Sequence, residues 1–211
     1  FRPRSVAVIS VSRRSDGVGT LVWRNLREAG FAGPMWAVSH RPFALDADTV
    51  YASVDALPAA PDLAVICTPA ASVPELVAQL GRKGTRAAIA LTAGLREGRL
   101  DDGRSLEQAM LDAARPHLLR ILGPNCIGAL VPGCALNASF APGQALPGEL
   151  AFVTQSGALA TAMLDWAHPR GIGFSHFISL GDSADVDFGD LLDYLASDPH
   201  TRAILLYIES V

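Results

Sequence analysis

The stretch 118–128 is Leu118-Leu119-Arg120-Ile121-Leu122-Gly123-Pro124-Asn125-Cys126-Ile127-Gly128, a short apolar run followed at once by a turn that contains glycine and proline. A second apolar run, Leu150-Ala151-Phe152-Val153, leads into Thr154-Gln155-Ser156-Gly157-Ala158-Leu159. In both places we predict a strand that ends in a glycine turn and a helix N-terminus, which is a common place to hold an anion. Because the first turn also carries a cysteine, the two turns predict a site for a phosphorylated, sulfur-bearing ligand.

Upstream of the first turn, short apolar runs alternate with segments of helical character. Each run is bounded by glycine, proline or charged residues, which is typical of strands that helices cover on both faces. We predict strands at 6–9, 35–38, 63–67, 87–91 and 118–122, and helices at 20–29, 73–82 and 105–114. This order predicts an α/β protein that begins with a doubly wound, Rossmann-type domain over residues 1–130.

A second α/β series follows a stretch rich in proline, glycine and small residues. We predict that 131–147 is a connector with a short strand at 136–140, and that 148–211 is part of a flavodoxin-like α/β domain. Its predicted elements are strands at 150–153, 174–179 and 203–208 and helices at 158–167 and 188–196. The chain starts without methionine and ends on a strand with nothing after it, so we expect a piece of a longer protein.

The composition argues against several classes of partner and location. The 211 residues carry a net charge of −4 with no basic tract, which disfavours nucleic acid. No stretch approaches the roughly 20 apolar residues of a membrane span. The three cysteines show no CxxC spacing, which favours a reducing compartment and hence a cytoplasmic location.

The loop after the first strand is suited to phosphate, although it does not match G-x-G-x-x-G. Its donors and its glycines are Ser12, Arg13, Arg14, Ser15, Gly17 and Gly19. The second strand ends in His40 and Arg41 rather than in an acidic residue, which favours a phosphorylated ribose over NAD. An ordinary solvated loop is the alternative.

The chemistry of the two turns leaves several alternatives open. Cys126 could be a nucleophile, a metal ligand or a small apolar filler, and no His-Cys spacing supports zinc, so the filler is favoured. Asn125 is better placed to donate to a carbonyl oxygen. Ser156 resembles a hydrolase nucleophile superficially, but G-x-S-x-G is absent and an ordinary helix cap explains it. The carboxylates of 182–187 could bind a metal or cap the next helix, and the cap is favoured; we predict no metal site.

Taken together, 123–128, 154–159 and Ser179-Leu180-Gly181-Asp182-Ser183-Ala184-Asp185-Val186-Asp187 closely resemble the NDP-forming acyl-CoA synthetases. That superfamily includes ADP-forming acetyl-CoA synthetase and the α subunit of succinyl-CoA synthetase. The resemblance runs along the whole chain in the same order, a CoA-binding domain and then the start of a ligase domain. It implies a reversible reaction of acyl-CoA, ADP and phosphate to acid, CoA and ATP, with acetyl as the expected acyl group.

The resemblance also implies roles for individual residues. The CoA phosphates would contact Ser12, Arg13, Gly17 and Gly19, and the adenosine would lie near His40 and Arg41. The pantetheine path would be lined by Cys67, Thr68, Pro69, Ala93 and Gly94, with Asn125 and Cys126 at the thiol end. A phosphorylated histidine would rest its phosphate on the helix that opens at Ser156 and Gly157, and Glu209 would orient that histidine.

Two departures from the family pattern matter. The family usually has Gly-Ala-Ser where this chain has Ser10-Val11-Ser12, so we expect a tighter loop or weaker CoA binding. The phosphorylated histidine belongs downstream of residue 211, because none of the five histidines sits in a small-residue loop after a later strand. We therefore expect this chain to bind CoA without completing the reaction alone.

The resemblance implies several partners: a small carboxylic acid, Mg-ADP or Mg-ATP on an ATP-grasp domain or subunit, and assembly into a homo- or hetero-oligomer. Two other functions remain open at this point. One is a regulatory CoA-binding module fused to a GNAT domain in a protein lysine acetyltransferase. The other is a non-catalytic Rossmann protein that binds CoA or another nucleotide.

Overall fold

The first sheet follows the predicted doubly wound pattern in the computed structural model, which describes residues 1–41, 43, 45 and 49–210. All its strands are parallel, in the order β3-β2-β1-β4-β5-β6. They are β1 Val6–Ile9, β2 Met35–Val38, β3 Val50–Tyr51, β4 Leu63–Ile66, β5 Ala87–Ala90 and β6 Arg120–Leu122, and the helices are α1 Val18–Glu28, α2 Val73–Lys83 and α3 Leu106–Ala114. Strand β3 was not predicted, since two residues at a sheet edge leave little pattern.

The second sheet is mixed, in the order β11-β9-β10-β7-β8. Its strands are β7 Gly128–Val131, β8 Leu136–Ser139, β9 Leu146–Thr154, β10 Gly173–Ser179 and β11 Ala203–Tyr207, with helices α4 Gly157–Ala167 and α5 Phe188–Ser197. Strands β9, β10 and β11 pair in parallel, whereas β7 and β8 form an antiparallel hairpin beside β10. The fold class is therefore α/β, with a Rossmann-like domain followed by a flavodoxin-like one.

The prediction that the first glycine turn opens a helix was wrong. After the turn the chain enters β7, whose four residues are all buried. Leu130 pairs with Phe177 of β10, so the apolar residues after the turn form a strand of the second sheet instead of the buried face of a helix. The predicted connector likewise holds β8 and the start of β9. The boundaries 1–130, 131–147 and 148–211 remain predictions, and Val211 itself lies outside the described residues.

An apolar cluster joins the two sheets and brings their loops together, and each sheet has a further buried cluster on its other side. One cluster of buried side chains includes Val8 and Leu26 of the first domain with Ala138 and Ile178 of the second. Buried Asn25 of α1 strengthens this contact, because its Nδ2 donates to the carbonyl oxygens of Ser139 at 2.8 Å and of Ala141 at 2.9 Å. No helix within the described ranges is long and apolar enough to cross a membrane.

Candidate functional site at the carboxyl edge of the first sheet

A cavity of about 650 Å³ lies where β1, β2 and β4 end. This is the point at which the strand order reverses, between β1 and β4, and doubly wound folds bind ligands there. Five of the predicted contacts line the cavity, namely Ser12, Arg13, His40, Arg41 and Thr68. The structure therefore brings the predicted phosphate loop and the predicted adenosine end to one opening.

The loop between β1 and α1 is folded tightly against its own strand. A methyl group at Gly19 would lie 2.4 Å from the Ser10 carbonyl oxygen, so only glycine allows this approach. Ser10 itself has a φ of +81°, a conformation that glycine adopts more easily than serine. Thr20 closes the loop, since its Oγ1 donates to the Ser12 carbonyl at 2.8 Å and accepts from the Ser12 amide at 3.3 Å.

The N-terminus of α1 is open and electropositive. It begins after Gly17, with no side-chain cap and no acidic residue in its first turn. Within the described ranges, the first amide of α1 with a backbone partner is that of Leu21, so the amides of residues 18–20 are available to an anion. Arg14 is held by Asp16 through two bonds of 3.1 and 3.0 Å, whereas Arg13 makes no bond within the described part of the chain.

Thr68 contributes an unused polar group to the cavity. Its residue is only 6% exposed, and its Oγ1 has no hydrogen-bond partner among the described residues. Its carbonyl oxygen accepts from Thr92 Oγ1 at 2.7 Å, which fixes the end of β4 against the end of β5. A buried hydroxyl without a partner is costly, and a ligand atom in the cavity would satisfy it.

The other predicted pantetheine contacts follow β4 and β5 along the same edge but do not line the cavity. Pro69, Ala93 and Gly94 are exposed, and Cys67 is half-buried. Burial is the main cause that raises the pKa of the Cys67 thiol. These residues form an open path from the cavity toward β6.

Cys126 is buried, as expected for a small apolar filler. It is 3% exposed, and its Sγ lies 3.5 Å from the Ala90 carbonyl oxygen. Burial raises the pKa of its thiol to about 12, so the thiol stays protonated at neutral pH. Of the two turn residues predicted at the thiol end, only Asn125 is exposed.

The carboxylates after β10 serve structural roles. Asp187 caps α5 and forms a reciprocal capping box with Asp190. Asp185 accepts from the Ile121 amide at 2.7 Å and from Arg120 Nε at 3.1 Å. Asp182 accepts from Asn125 Nδ2 at 3.1 Å. The predicted cap is confirmed for Asp187, and the other two carboxylates hold the first domain.

The second predicted turn does open a helix. Ser156 caps α4 by accepting from the Leu159 amide at 3.4 Å, and the first turn holds no acidic residue. Gln155 binds the end of β11, since its Oε1 accepts from the amides of Glu209 at 2.8 Å and Ser210 at 3.0 Å. The structure thus places Glu209 beside the N-terminus of α4.

The two turns also meet each other. A methyl group at Gly157 would lie 3.4 Å from Ile127 Cγ1, so the start of α4 packs against the turn after β6. A ligand that reached Asn125 along the first sheet would therefore end close to the α4 N-terminus. This contact joins the two predicted sites into one region.

Sequence reasoning missed part of the cavity wall. The additional lining residues are Phe43, Ser53, Val54, Leu76 and Gln79. Ser53 and Val54 follow the unpredicted strand β3, while Leu76 and Gln79 lie on the inner side of α2. The run Thr49-Val50-Tyr51 was the available signal for that strand, because β-branched and aromatic residues favour strands.

Comparison with known families agrees with this geometry. A family described as a CoA binding domain matches residues 4–132, and one described as a succinyl-CoA ligase-like flavodoxin domain matches residues 147–211. The first match covers more than half of the chain and includes the whole cavity. The second begins at the start of β9.

Two similar proteins are ADP-forming CoA ligases. The chain is 38% identical over 216 residues to the acetate–CoA ligase (ADP-forming) I subunit alpha of Pyrococcus furiosus, covering 100% of this chain and 46% of the relative. It is 33% identical to the 4-hydroxybutyrate–CoA ligase (ADP-forming) of Nitrosopumilus maritimus, covering 99% of this chain and 30% of the relative. The chain thus spans less than half the length of either relative.

A solved structure shares the fold over the full chain. It is the dinucleotide-forming acetyl-coenzyme A synthetase 1 of Ca. Korarchaeum cryptofilum, in complex with phosphate and ADP. The TM-score is 0.93 at 34% identity, over 100% of this chain and 45% of that one. The chain therefore belongs to the NDP-forming acyl-CoA synthetase superfamily, of which it carries the CoA-binding domain and part of the succinyl-CoA ligase-like flavodoxin domain.

Proposed function

We propose that this chain is the CoA-binding portion of an ADP-forming acyl-CoA synthetase. In that role it would serve the reversible conversion of acyl-CoA, ADP and phosphate to acid, CoA and ATP. The proposal divides the chain into a CoA-binding domain at 1–130, a connector at 131–147 and a partial ligase domain at 148–211. The relatives described above are named for two different acids, acetate and 4-hydroxybutyrate. Acetate is the expected substrate of this protein, by similarity to the acetate ligase.

The observation that carries the proposal is the cavity at the strand switch point, where Arg13 and the Thr68 hydroxyl have no partner among the residues that the structure describes. Arg13 and the open start of α1 offer positive potential for the diphosphate, supported by Ser12 and by the close backbone approach at Gly17 and Gly19. His40 and Arg41 would face the phosphorylated ribose. None of the described residues that line the cavity is acidic, so none of them would select the diol of NAD.

The remaining length of CoA would run along the strand ends. The hydroxyl of Thr68 supplies a buried donor, and Cys67, Pro69, Ala93 and Gly94 border the open path toward β6. Asn125 would meet the thiol end, with Cys126 packed beneath it. This assigns each predicted contact to one continuous ligand.

The ligase-like part would hold a phosphate at the start of α4. The backbone amides at the start of α4, from Gly157 onward, together with the helix dipole would stabilise a phosphoryl group there. Glu209, held beside that helix by Gln155, would orient a phosphorylated histidine that lies beyond residue 211. Division of the transfer into two steps lowers each barrier.

The whole protein would need further parts. An ATP-grasp domain or subunit would bind Mg-ADP or Mg-ATP, and the name subunit alpha in one relative supports a partner subunit. The three cysteines without CxxC spacing support a reducing, cytoplasmic location. Nothing in the relatives described above supports a GNAT fusion.

Isothermal titration of the 211-residue chain with CoA, with NAD and with adenosine 3′,5′-bisphosphate tests the binding proposal. We expect CoA to bind more tightly than NAD, because His40 and Arg41 favour the additional phosphate. The bisphosphate should bind more weakly than CoA, because it lacks the pantetheine arm. Tighter binding of NAD, or no binding of CoA, would overturn the proposal.

The full-length protein tests the reaction. Incubation with Mg²⁺ and ATP labelled on the γ-phosphate should produce an acid-labile phosphohistidine, and that label should be lost when CoA and acetate are added. A full-length protein that takes no label would leave a binding module without ligase activity.

A further inference from the structure

The turn that joins β6 to β7 is held from outside its own domain. The Asp182 amide donates to the Pro124 carbonyl at 2.9 Å, and the Ala184 amide donates to the Gly123 carbonyl at 3.0 Å. Both donors belong to the loop that follows β10 in the second sheet. The ligase-like domain therefore helps to hold the backbone of this turn, which is the predicted thiol end of the site.

This loop approaches the turn as closely as a glycine permits. Gly181 has a φ of +60°, and a methyl group there would lie 2.2 Å from the Pro124 carbonyl oxygen. Any other residue would push the two segments apart. The loop after β10 and the turn after β6 are thus closely packed against each other, with backbone in contact with backbone.

The side chain of Asn125 is held at the same junction. Its Nδ2 donates to Asp182 Oδ1 at 3.1 Å, and its backbone amide donates to the Thr92 carbonyl at 2.9 Å. A carboxylate accepts hydrogen bonds but cannot donate them, so Asp182 selects the NH₂ end of the amide group. The Oδ1 of Asn125 is left to accept from a ligand.

Arg96 ties this arrangement back to the first domain. Its Nη2 donates to the Asp182 carbonyl at 2.9 Å, and its Nε donates to Glu107 Oε2 at 3.2 Å. Glu107 lies in the first turn of α3, and its side chain is 19% exposed. Asp182 is therefore held through its backbone as well as through its carboxylate.

We propose that Asp182, supported by Arg96, is a positioning residue that orients Asn125 toward the thiol end of CoA. The proposal rests on the assignment of CoA to this edge of the sheet. In this arrangement the ligase-like domain is part of the CoA site, because the pantetheine arm would meet the Asn125 side chain, which Asp182 of that domain orients. The nucleotide half of CoA, bound at the cavity, would not depend on Asp182.

The test compares two ligands on the 211-residue chain. Asp182→Ala should weaken CoA binding about fivefold, as expected for one hydrogen bond, and leave adenosine 3′,5′-bisphosphate binding unchanged. Asp182→Asn keeps an acceptor oxygen in place and should restore CoA affinity. Arg96→Gln, a change at a half-exposed side chain, should show the same selectivity with a smaller loss.

The outcomes separate the two proposals. Absence of CoA binding by the unchanged chain would defeat the assignment of CoA itself. If CoA binds and Asp182→Ala weakens both ligands equally, the residue is merely structural and the positioning role is wrong. Unaltered CoA affinity in both Asp182→Ala and Arg96→Gln would overturn it as well.

Discussion

The loop after β1 and the turn after β6 lie at the same edge of the first sheet, yet they are built in opposite ways. The first loop is stabilised by its own residues, and Arg13 and the amides at the start of α1 have no partners within the described part of the molecule. The turn after β6 has its carbonyls and the Asn125 side chain bonded to the second domain. The loop presents unpaired positive groups to a ligand, and the turn presents a side chain whose orientation is fixed by hydrogen bonds.

The difference indicates how a long ligand can be both attracted and aligned. Free cationic and amide groups supply affinity for phosphate with little need of neighbours. Orientation of a reactive end needs groups that are themselves held, since a loose side chain loses part of its binding free energy to ordering. Loss of the close contacts at the turn should therefore cost stability as well as alignment of the ligand, whereas loss of the unpaired arginine of the loop should cost binding alone.

The largest effect is expected for Gly181→Ala. The methyl group would overlap the Pro124 carbonyl and occupy a left-handed backbone conformation, so the free energy of unfolding should fall by about 3 kcal/mol. Urea unfolding followed by circular dichroism measures it. Gly133→Ala is the matched control, because a methyl group there meets nothing within 4 Å. Equal stability of the two variants would show that the turn is not tightly held.

The loop should respond in the opposite way to Arg13→Gln. Loss of one charge-assisted bond to phosphate should weaken CoA binding about tenfold, while the melting temperature stays unchanged because Arg13 has no partner to lose among the described residues. Arg86→Gln removes the same charge ahead of β5, at the opposite edge of the sheet. Titration calorimetry should find CoA affinity unaffected in that control, and a similar loss in both variants would indicate a general charge effect.

Ser10→Gly should stabilise the loop slightly. Ser10 has a φ of +81°, and relief of that conformation should raise the free energy of unfolding by about 1 kcal/mol. Thermal unfolding measures the change, with Ser53→Gly as a control in a different loop. A lower melting temperature for Ser10→Gly would mean that the serine side chain supports the loop.

The smallest effect concerns pH and lies in the second sheet. His176 is 1% exposed, and burial lowers its pKa in the fold despite the nearby Asp198 carboxylate, whose Oδ2 is 3.7 Å from His176 Nδ1. As the pH falls below the ordinary value of 6.5, the unfolded chain takes up a proton that the folded chain resists, so stability should decrease.

Urea unfolding at pH 7.5 and at pH 5.5 tests this. The loss between the two values should shrink in His176→Gln, which cannot take up that proton. An unchanged pH dependence in this variant would assign the loss to other groups.

Much of the fold could be predicted from local pattern. The strands at 6–9 and 35–38 and the helix over 73–82 were placed to within a residue, because buried parallel strands and amphipathic helices leave clear periods in sequence. The helix expected after 123–128 was wrong, since the apolar run 129–131 suits a strand and a helix equally. Pairing with β10 decided between them.

The candidate site divides in the same way. The loop after β1 was predicted as a phosphate site from its glycines and arginines, and the structure places that loop at the cavity. Cys126 could not be assigned from sequence alone, because its reactivity depends on burial, which raises its pKa to about 12. The supporting role of Asp182 was also invisible, since Asn125 and Asp182 are separated by 57 residues.

The sequence by itself determined most of the strands and helices, the glycine- and arginine-containing loop after β1 and the membership of the superfamily. These depend on neighbouring residues, through backbone conformation, periodicity and short motifs. Only the tertiary structure decided which side chains line the cavity, that the Cys126 thiol is buried and that Asp182 of the second domain bonds to Asn125. Those properties depend on burial and on contacts between distant segments, and the physical forces involved act through space rather than along the chain.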